Sequence, residues 1–251
     1  MAIPVRETYP AENASSPSSV ADISIRVTDD GSRTIVLNAT QDTYHSGCGA
    51  AAESRHVYLE NSGVADAIRH GCQVRILEIG TGTGMTLLQM LSLAGQFPGT
   101  EIAYLGLETR VLPQGVVRQI YAGRGQQDGL DPDIVAQWIQ WHESPDVPFM
   151  AGNANKDITI SRCDATQWSW DAELETPFDA IWFDPFSPVA APALWSRPML
   201  QTMFDCLRPA GRLVSYCVNR KVRDLLSEIG FAVDRVKGPP GGKREVLIAR
   251  R

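Results

Sequence analysis

Two rhythms of apolar residues run along the chain. Ile23, Ile25 and Val27 alternate with polar neighbours, Asp29-Asp30-Gly31-Ser32 follows, and Thr34 to Leu37 is a second β-rich run, so a hairpin is predicted. Short apolar runs at Val74–Ile79, Ile102–Leu107, Ile158–Cys163, Phe178–Phe183 and Arg212–Cys217 predict five more strands. Phe231–Val236 and Glu245–Ala249 predict a closing pair around Gly238-Pro239-Pro240-Gly241-Gly242. Helical spacing fills the intervals. It runs from Ala51 to about Arg69 with a break near Ser62-Gly63, and again from Met85 through Leu87, Leu88 and Leu91. It returns over Ile134–Trp141, over Met199–Leu207 before Pro209-Ala210-Gly211, and over Val222–Ile229 before Gly230.

Strands alternating with helices predict an α/β fold, a mostly parallel sheet covered on both faces. Residues 1–20, rich in Ser, Pro and Asn, read as a disordered lead-in. Residues 21–251 read as one domain, with 21–70 an N-terminal extension carrying the hairpin and a loop. The stretch 109–151 shows helical pieces without a clear role.

Ligands of such sheets bind beyond the carboxyl ends of the strands. The first long strand runs there into Glu78-Ile79-Gly80-Thr81-Gly82-Thr83-Gly84, a tight turn before a helix. A dinucleotide fingerprint would place its third glycine at position 85, which is Met85. The E-x-G-x-G-x-G spacing with an acid at the strand end suits S-adenosyl-L-methionine (SAM), which carries a sulfonium and an ammonium and has no pyrophosphate. Another nucleotide and a purely structural turn are the competing readings. Glu108, Asp164 and Asp184 close the next strands in turn. A carboxylate at Glu108 can accept the ribose hydroxyls, and the neighbourhood of Asp164 can take the adenine amine. Asp184, in Trp182-Phe183-Asp184-Pro185-Phe186-Ser187-Pro188, can orient an acceptor amine and disperse the charge that builds on nitrogen. The plainer reading of Asp184 is a helix cap. Phe186 and Trp195 are read either as packing or as stacking platforms for a base.

Composition adds charge and compartment. The net charge of −6 argues against general nucleic-acid coating, yet Arg208 to Arg251 holds eleven Lys and Arg against four Asp and Glu. That basic end is compatible with local RNA contact, and equally with solvated element faces. Five cysteines without a C-x-x-C pair read as reduced thiols and no structural zinc. No apolar run approaches the roughly 18 residues of a membrane span. The N-terminus lacks a signal-peptide plan, so a cytoplasmic protein is expected. His45, beside Tyr44, has no ligand partners at metal spacing and reads as a substrate or SAM contact. Lys243-Arg244 reads as a phosphate contact or a solvated strand edge.

Together these segments resemble a known family. The run Tyr44-His45-Ser46-x-x-Gly49-Ala50-x-x-Glu53-Ser54-x-His56-Val57 and the glycine turn match its pattern. So do Phe178-Asp179-Ala180-x-x-Phe183-Asp184-x-Phe186-x-Pro188 with Trp195, and Lys237-Gly238 followed by Lys243-Arg244-Glu245. The chain is similar, from about Ile23 onward, to the methyltransferase domain of the MnmC family of tRNA-modification enzymes, especially its stand-alone branch without an FAD oxidase domain. The resemblance implies a SAM-dependent methyltransferase fold with seven strands, the last antiparallel. It implies N-methylation of the 5-aminomethyl group of (2-thio)uridine at the tRNA wobble position, on a substrate made by a separate enzyme. By position, Tyr44, Glu78, Gly80, Gly82, Gly84, Glu108 and Asp164 would hold SAM and Asp184 would face the amine. His45, Phe186, Lys243 and Arg244 would meet the substrate, with no metal. Pro185 departs from the family's usual glycine at that place. The alternatives are a SAM-dependent or aminopropyl transferase acting on a small amine, and a SAM-binding module without activity.

Overall fold

The expected hairpin forms from Ile23–Val27 (β1) and Arg33–Leu37 (β2), paired antiparallel with Ile25 opposite Ile35. The computed structural model describes residues 22–124, 128–145, 149, 155–173 and 175–251, so the lead-in expected over 1–20 lies outside the described residues. Beyond the hairpin comes a short helix, Ala50–Glu53 (α1), whose own N-cap residue makes no side-chain bond. The hairpin turn supplies the cap: Ala50 and Ala51 donate to Ser32 Oγ at 2.9 and 3.2 Å, and Ala52 donates to Asp30 Oδ2 at 3.0 Å. These bonds satisfy amides that a helix start leaves unpaired. Burial opposes the charge on Asp30, but hydrogen bonds from Ser32, Ala52 and Thr28 outweigh it and hold its carboxyl below the usual range.

From α1 the chain enters a π-helical segment, Ser54–Glu60, and then Val64–Arg69 (α2). The break expected near Ser62-Gly63 is there, with Gly63 at a φ of 84°.

The main sheet comprises Val74–Ile79 (β3), Ile102–Leu107 (β4), Lys156–Ser161 (β5), Phe178–Phe183 (β6), Leu207–Ser215 (β7), Ala232–Lys237 (β8) and Glu245–Arg250 (β9). Its order is β5-β4-β3-β6-β7-β9-β8. The first five strands are mutually parallel, and β9, last in the chain, runs antiparallel to both neighbours. The expected fold class therefore holds, including the antiparallel last strand.

Helices Met85–Gly95 (α3), Gln114–Tyr121 (α4) and Pro132–Trp141 (α5) cover one face with α2. Arg197–Cys206 (α6) and Arg220–Ile229 (α7) cover the other. Because strand side chains alternate, Ile76 and Trp182 enter the α3-side core, while Leu77, Ile79, Ile181 and Phe183 enter the α6-side core. Glu78 and Asp184, each two residues past an α3-side residue, extend that same face at the carboxyl ends of adjacent strands.

Two expectations need correction. Pro209-Ala210-Gly211 does not separate helix from strand: α6 ends at Cys206 and β7 begins at Leu207. Phe178 pairs with Leu207 and Ala180 with Arg212, so the extra residues form a bulge, with Ala210 at a φ of 63°. The strand expected over Ile158–Cys163 forms two residues earlier, as β5 at Lys156–Ser161, because its register follows β4, with Ile102 opposite Lys156.

Candidate active site

At the carboxyl ends of β3, β4 and β6 lies a cavity of about 660 Å3. Glu78, Glu108, Asp164 and Asp184 all line it, as do Tyr44, His45, Phe186 and Lys243. Separate stretches of sequence thus supply one wall each.

The glycine turn forms the floor. Gly80 has a φ of 87°, and a Cβ there would stand 2.9 Å from the Asp184 carbonyl oxygen. Only glycine lets the turn pass this close to the chain after β6. Gly82 donates its N–H to Glu108 Oε2 at 2.8 Å, and Arg110 N–H donates to Oε1 at 2.8 Å. Glu108 therefore ties the turn to the end of β4 while still lining the cavity. Burial raises its carboxyl above the ordinary value, against the pull of these bonds.

Glu78 lies deeper, 3% exposed, and accepts the Tyr104 hydroxyl. Burial pushes its carboxyl well above the usual range; the Tyr104 bond opposes this, and Asp184 and Glu108 reinforce it. A bound cation beside it would favour the charged form. Asp164 is more exposed and caps the short 3-10 turn Ala165–Gln167, its Oδ1 accepting the Thr166 amide at 2.9 Å and hydroxyl at 2.8 Å. That oxygen is committed to the turn, and the residue also lines the cavity.

Gly84 is not among the lining residues. It is the N-cap of α3 at a φ of 81°, and the space where its side chain would be is filled by Trp138. Arg244 is exposed and also stands outside the lining, its carbonyl accepting the Gly238 N–H at 2.9 Å. Lys243 does reach the cavity, with Nζ 3.8 Å from the centre of the Tyr216 ring.

The far wall is aromatic. Tyr44 and Phe186 meet edge to face at 5.4 Å, and Tyr216 donates its hydroxyl to the Pro185 carbonyl at 3.0 Å. Burial and the neighbouring Glu108 push the Tyr44 phenol up to about 12. Trp195 takes the packing role. It meets Phe183 edge to face at 5.0 Å, is 6% exposed, and donates Nε1–H to the Phe186 carbonyl at 2.8 Å. His45 is buried, its amide donates to Thr34 Oγ1 at 2.9 Å, and burial lowers its ring below the usual value despite Glu53 and Asp30 nearby. It presents a neutral imidazole at neutral pH.

Sequence reasoning gave no role to two residues here. Glu53 lines the cavity, is 6% exposed, and accepts the Ser46 N–H at Oε2, 2.9 Å away. Tyr58 donates its hydroxyl to Asp184 Oδ1. Five residues apart, they would point about 140° from each other on an α-helix. In π-helical geometry the i to i+5 repeat brings them to one side. Only the quoted Glu53-Ser54 pair hinted at Glu53; nothing in the apolar pattern marked Tyr58.

Several cations of the basic C-terminal end are engaged locally. Arg208 pairs with Asp179, Arg220 with Asp224, Arg235 with Glu245, and Arg250 with Asp234, while Arg251 donates to carbonyls at the end of α6. Among the described residues no helix is long and apolar enough to cross a membrane, and no cluster of three His, Cys, Asp or Glu is placed to hold a metal ion.

Comparison with known proteins fits this geometry. Residues 129–251 match a family described as S-adenosyl-L-methionine-dependent methyltransferase, which bears out the expected enzyme class and cofactor. The chain is 30% identical over 213 residues to the tRNA 5-methylaminomethyl-2-thiouridine biosynthesis bifunctional protein MnmC of Cupriavidus necator, covering 83% of this chain and 31% of that protein. The corresponding protein of Pseudomonas paraeruginosa is 27% identical, covering 82% of this chain and 32% of its own length. The chain thus spans about a third of the curated relatives it matches. In fold it is similar to MnmC2 from Aquifex aeolicus, with a TM-score of 0.68 and 23% identity over 96% of this chain and 71% of that one. It is also similar to spermidine synthase from Thermotoga maritima, with a TM-score of 0.51 and 15% identity over 91% of this chain and 68% of that one.

Proposed function

We propose that this chain methylates the amino nitrogen of a 5-aminomethyl-(2-thio)uridine at the wobble position of tRNA, with SAM as methyl donor. The observation that carries this reading is the position of Asp184. Its backbone touches the glycine turn, its Oδ1 is engaged by Tyr58, and its Oδ2 has no partner among the described residues. The relatives support the nucleoside: the MnmC proteins are named for 5-methylaminomethyl-2-thiouridine biosynthesis.

The cavity fits SAM on its own evidence, since backbone of the glycine turn, Gly80 and Gly82, lines its floor and acidic groups suited to hydroxyls and cations line the sides. Glu78, Gly80, Gly82, Glu108, Asp164 and Tyr44 are the residues that would hold it. Once bound, it supplies an electrophilic methyl carbon on a positive sulfur.

An aminomethyl group reaches neutral solution as an ammonium, and its nitrogen becomes nucleophilic only after losing a proton. Burial pushes the Asp184 carboxyl well above the usual range, the Tyr58 bond opposing and Glu53 reinforcing, so a proton passes to it readily. Asp184 takes that proton and keeps the freed amine aimed along the displacement line. The methylated nitrogen leaves as a secondary ammonium, and Asp184 returns its proton to water. Phe186, braced edge to face by Tyr44, offers aromatic surface to the base, and Lys243 offers charge to the nucleic-acid backbone.

The test is incubation of the purified protein with SAM and tRNA bearing the aminomethyl nucleoside, followed by nucleoside mass spectrometry. A gain of one methyl on that nucleoside is expected. No incorporation into tRNA, with transfer instead to free spermidine in a parallel reaction, sinks the tRNA reading in favour of a small amine.

A further inference from the structure

We propose that Tyr58 is the positioning residue for Asp184: its hydroxyl holds Oδ1 and leaves Oδ2 as the one carboxylate oxygen presented to the acceptor nitrogen. The proposal rests on reading Asp184 as the group that meets the amine. It concerns a buried residue that is not among those lining the cavity.

The geometry limits Asp184 at both ends. Its amide donates to the Ile79 carbonyl at 3.0 Å, which fixes its backbone to the end of β3. The Tyr58 hydroxyl then fixes the carboxylate plane. Tyr58 is 1% exposed and packs in the core on the α3 side of the sheet, so its ring cannot swing away. Burial first, and then Asp184 itself, hold its phenol protonated far beyond neutral pH. In this bond the tyrosine hydroxyl donates and the carboxylate oxygen accepts.

The segment that carries Tyr58 is equally pinned. Ala50, Ala51 and Ala52 are held by the hairpin turn at its start, and His56 Nε2–H donates to the Lys237 carbonyl at 2.8 Å. π-Helical turns are uncommon and concentrate at functional sites. Here Glu53, at the junction of α1 with the π segment, and Tyr58, inside it, both act on Asp184.

The groups facing Asp184 are Tyr58 and Glu53 from the helical segment, Glu78 and Glu108 from the strand ends, Tyr216 beyond β7, and Lys243. Of these, Tyr58 and Lys243 favour the ionised carboxylate, whereas Glu53, Glu78 and Glu108 oppose it. Removing the Tyr58 hydroxyl therefore raises the pH at which Asp184 ionises.

Tyr58→Phe keeps the ring and deletes the donor. On aminomethyl tRNA, kcat is expected to fall about ten- to hundredfold, as loss of aim by a fraction of an ångström does. KM for tRNA and affinity for SAM should stay within about threefold, and the acid limb of the kcat profile should move to higher pH. The double variant Tyr58→Phe/Asp184→Asn should be no slower than Asp184→Asn alone, because Tyr58 acts only through that carboxylate. Losses that multiply, or an unmoved acid limb, overturn the proposal.

A second measurement needs no acceptor. The Asp184 carboxyl titration, followed by carbon-13 NMR in the full chain, should have a higher midpoint in Tyr58→Phe than in the wild type. Fluorotyrosine in place of Tyr58, a stronger donor of nearly equal size, should lower the midpoint, and it serves where the Phe variant folds poorly. An unmoved midpoint overturns the proposal. A moved midpoint with an inactive wild type supports the hold of Tyr58 on Asp184 and overturns the acceptor reading instead.

Discussion

Trp138 occupies the space that a side chain on Gly84 would need: a Cβ there would lie 2.5 Å from its Cζ2. The indole also donates Nε1–H to the Thr83 carbonyl at 2.9 Å, so α5 reaches across to brace the start of α3. The last glycine of the turn is thus held by packing. Gly84→Ala meets both a left-handed φ and this collision, and should lower unfolding free energy by about 2–4 kcal/mol. In a Trp138→Ala background only the φ cost of about 1–2 kcal/mol should remain. Urea unfolding of the four proteins measures this, and equal losses in both backgrounds would refute the collision.

Glu108 ties the turn to β4 and faces the cavity at once. Glu108→Ala removes both roles and should weaken SAM binding about ten- to hundredfold by calorimetry, the scale of one or two charge-assisted hydrogen bonds. Glu108→Gln keeps an acceptor for Gly82 and should lose less. Equal affinity of all three proteins would remove Glu108 from the cofactor site.

Asp30 caps α1 from another element, so its loss is felt at a distance. Asp30→Ala deletes the acceptor for Ser32 and Ala52 N–H and should cost about 1–3 kcal/mol in thermal or urea unfolding. Because α1 leads directly into Glu53 and Tyr58, methylation should fall further than stability at temperatures where the variant is fully folded. A variant as active as the wild type there would show that the hairpin does not set the site.

His142 gives a pH dependence with a definite sign. It is 7% exposed, packs edge-on against Trp138 and Trp141, and donates Nδ1–H to the Leu112 carbonyl at 2.8 Å. Burial lowers its pKa to about 4, from an ordinary 6.5, against the pull of that bond. Between those values the unfolded chain binds more protons, so stability should fall as pH drops from 6.5 toward 4. The full effect is about 3 kcal/mol. Urea unfolding at pH 7.5 and pH 5 should show the loss in the wild type, and a smaller one in His142→Gln. Identical slopes would exclude His142 as the cause.

The sequence by itself determined the layers and the rim. Six-residue apolar runs such as Ile102–Leu107 and Phe178–Phe183 are strands because buried parallel strands need apolar groups on both faces, and that local demand is written in order along the chain. Glu78, Glu108, Asp164 and Asp184 were legible as site candidates because a polar group closing such a run must stand at a strand end. Tertiary structure alone decided what each then touches. The bulge at Ala210 follows from pairing with β6, the requirement for glycine at position 84 from Trp138 arriving on α5, and the aim of Asp184 from Tyr58 on a π turn. Each of these depends on a residue dozens of positions away brought close by packing. A pattern with a period of two or 3.6 holds no record of such a neighbour.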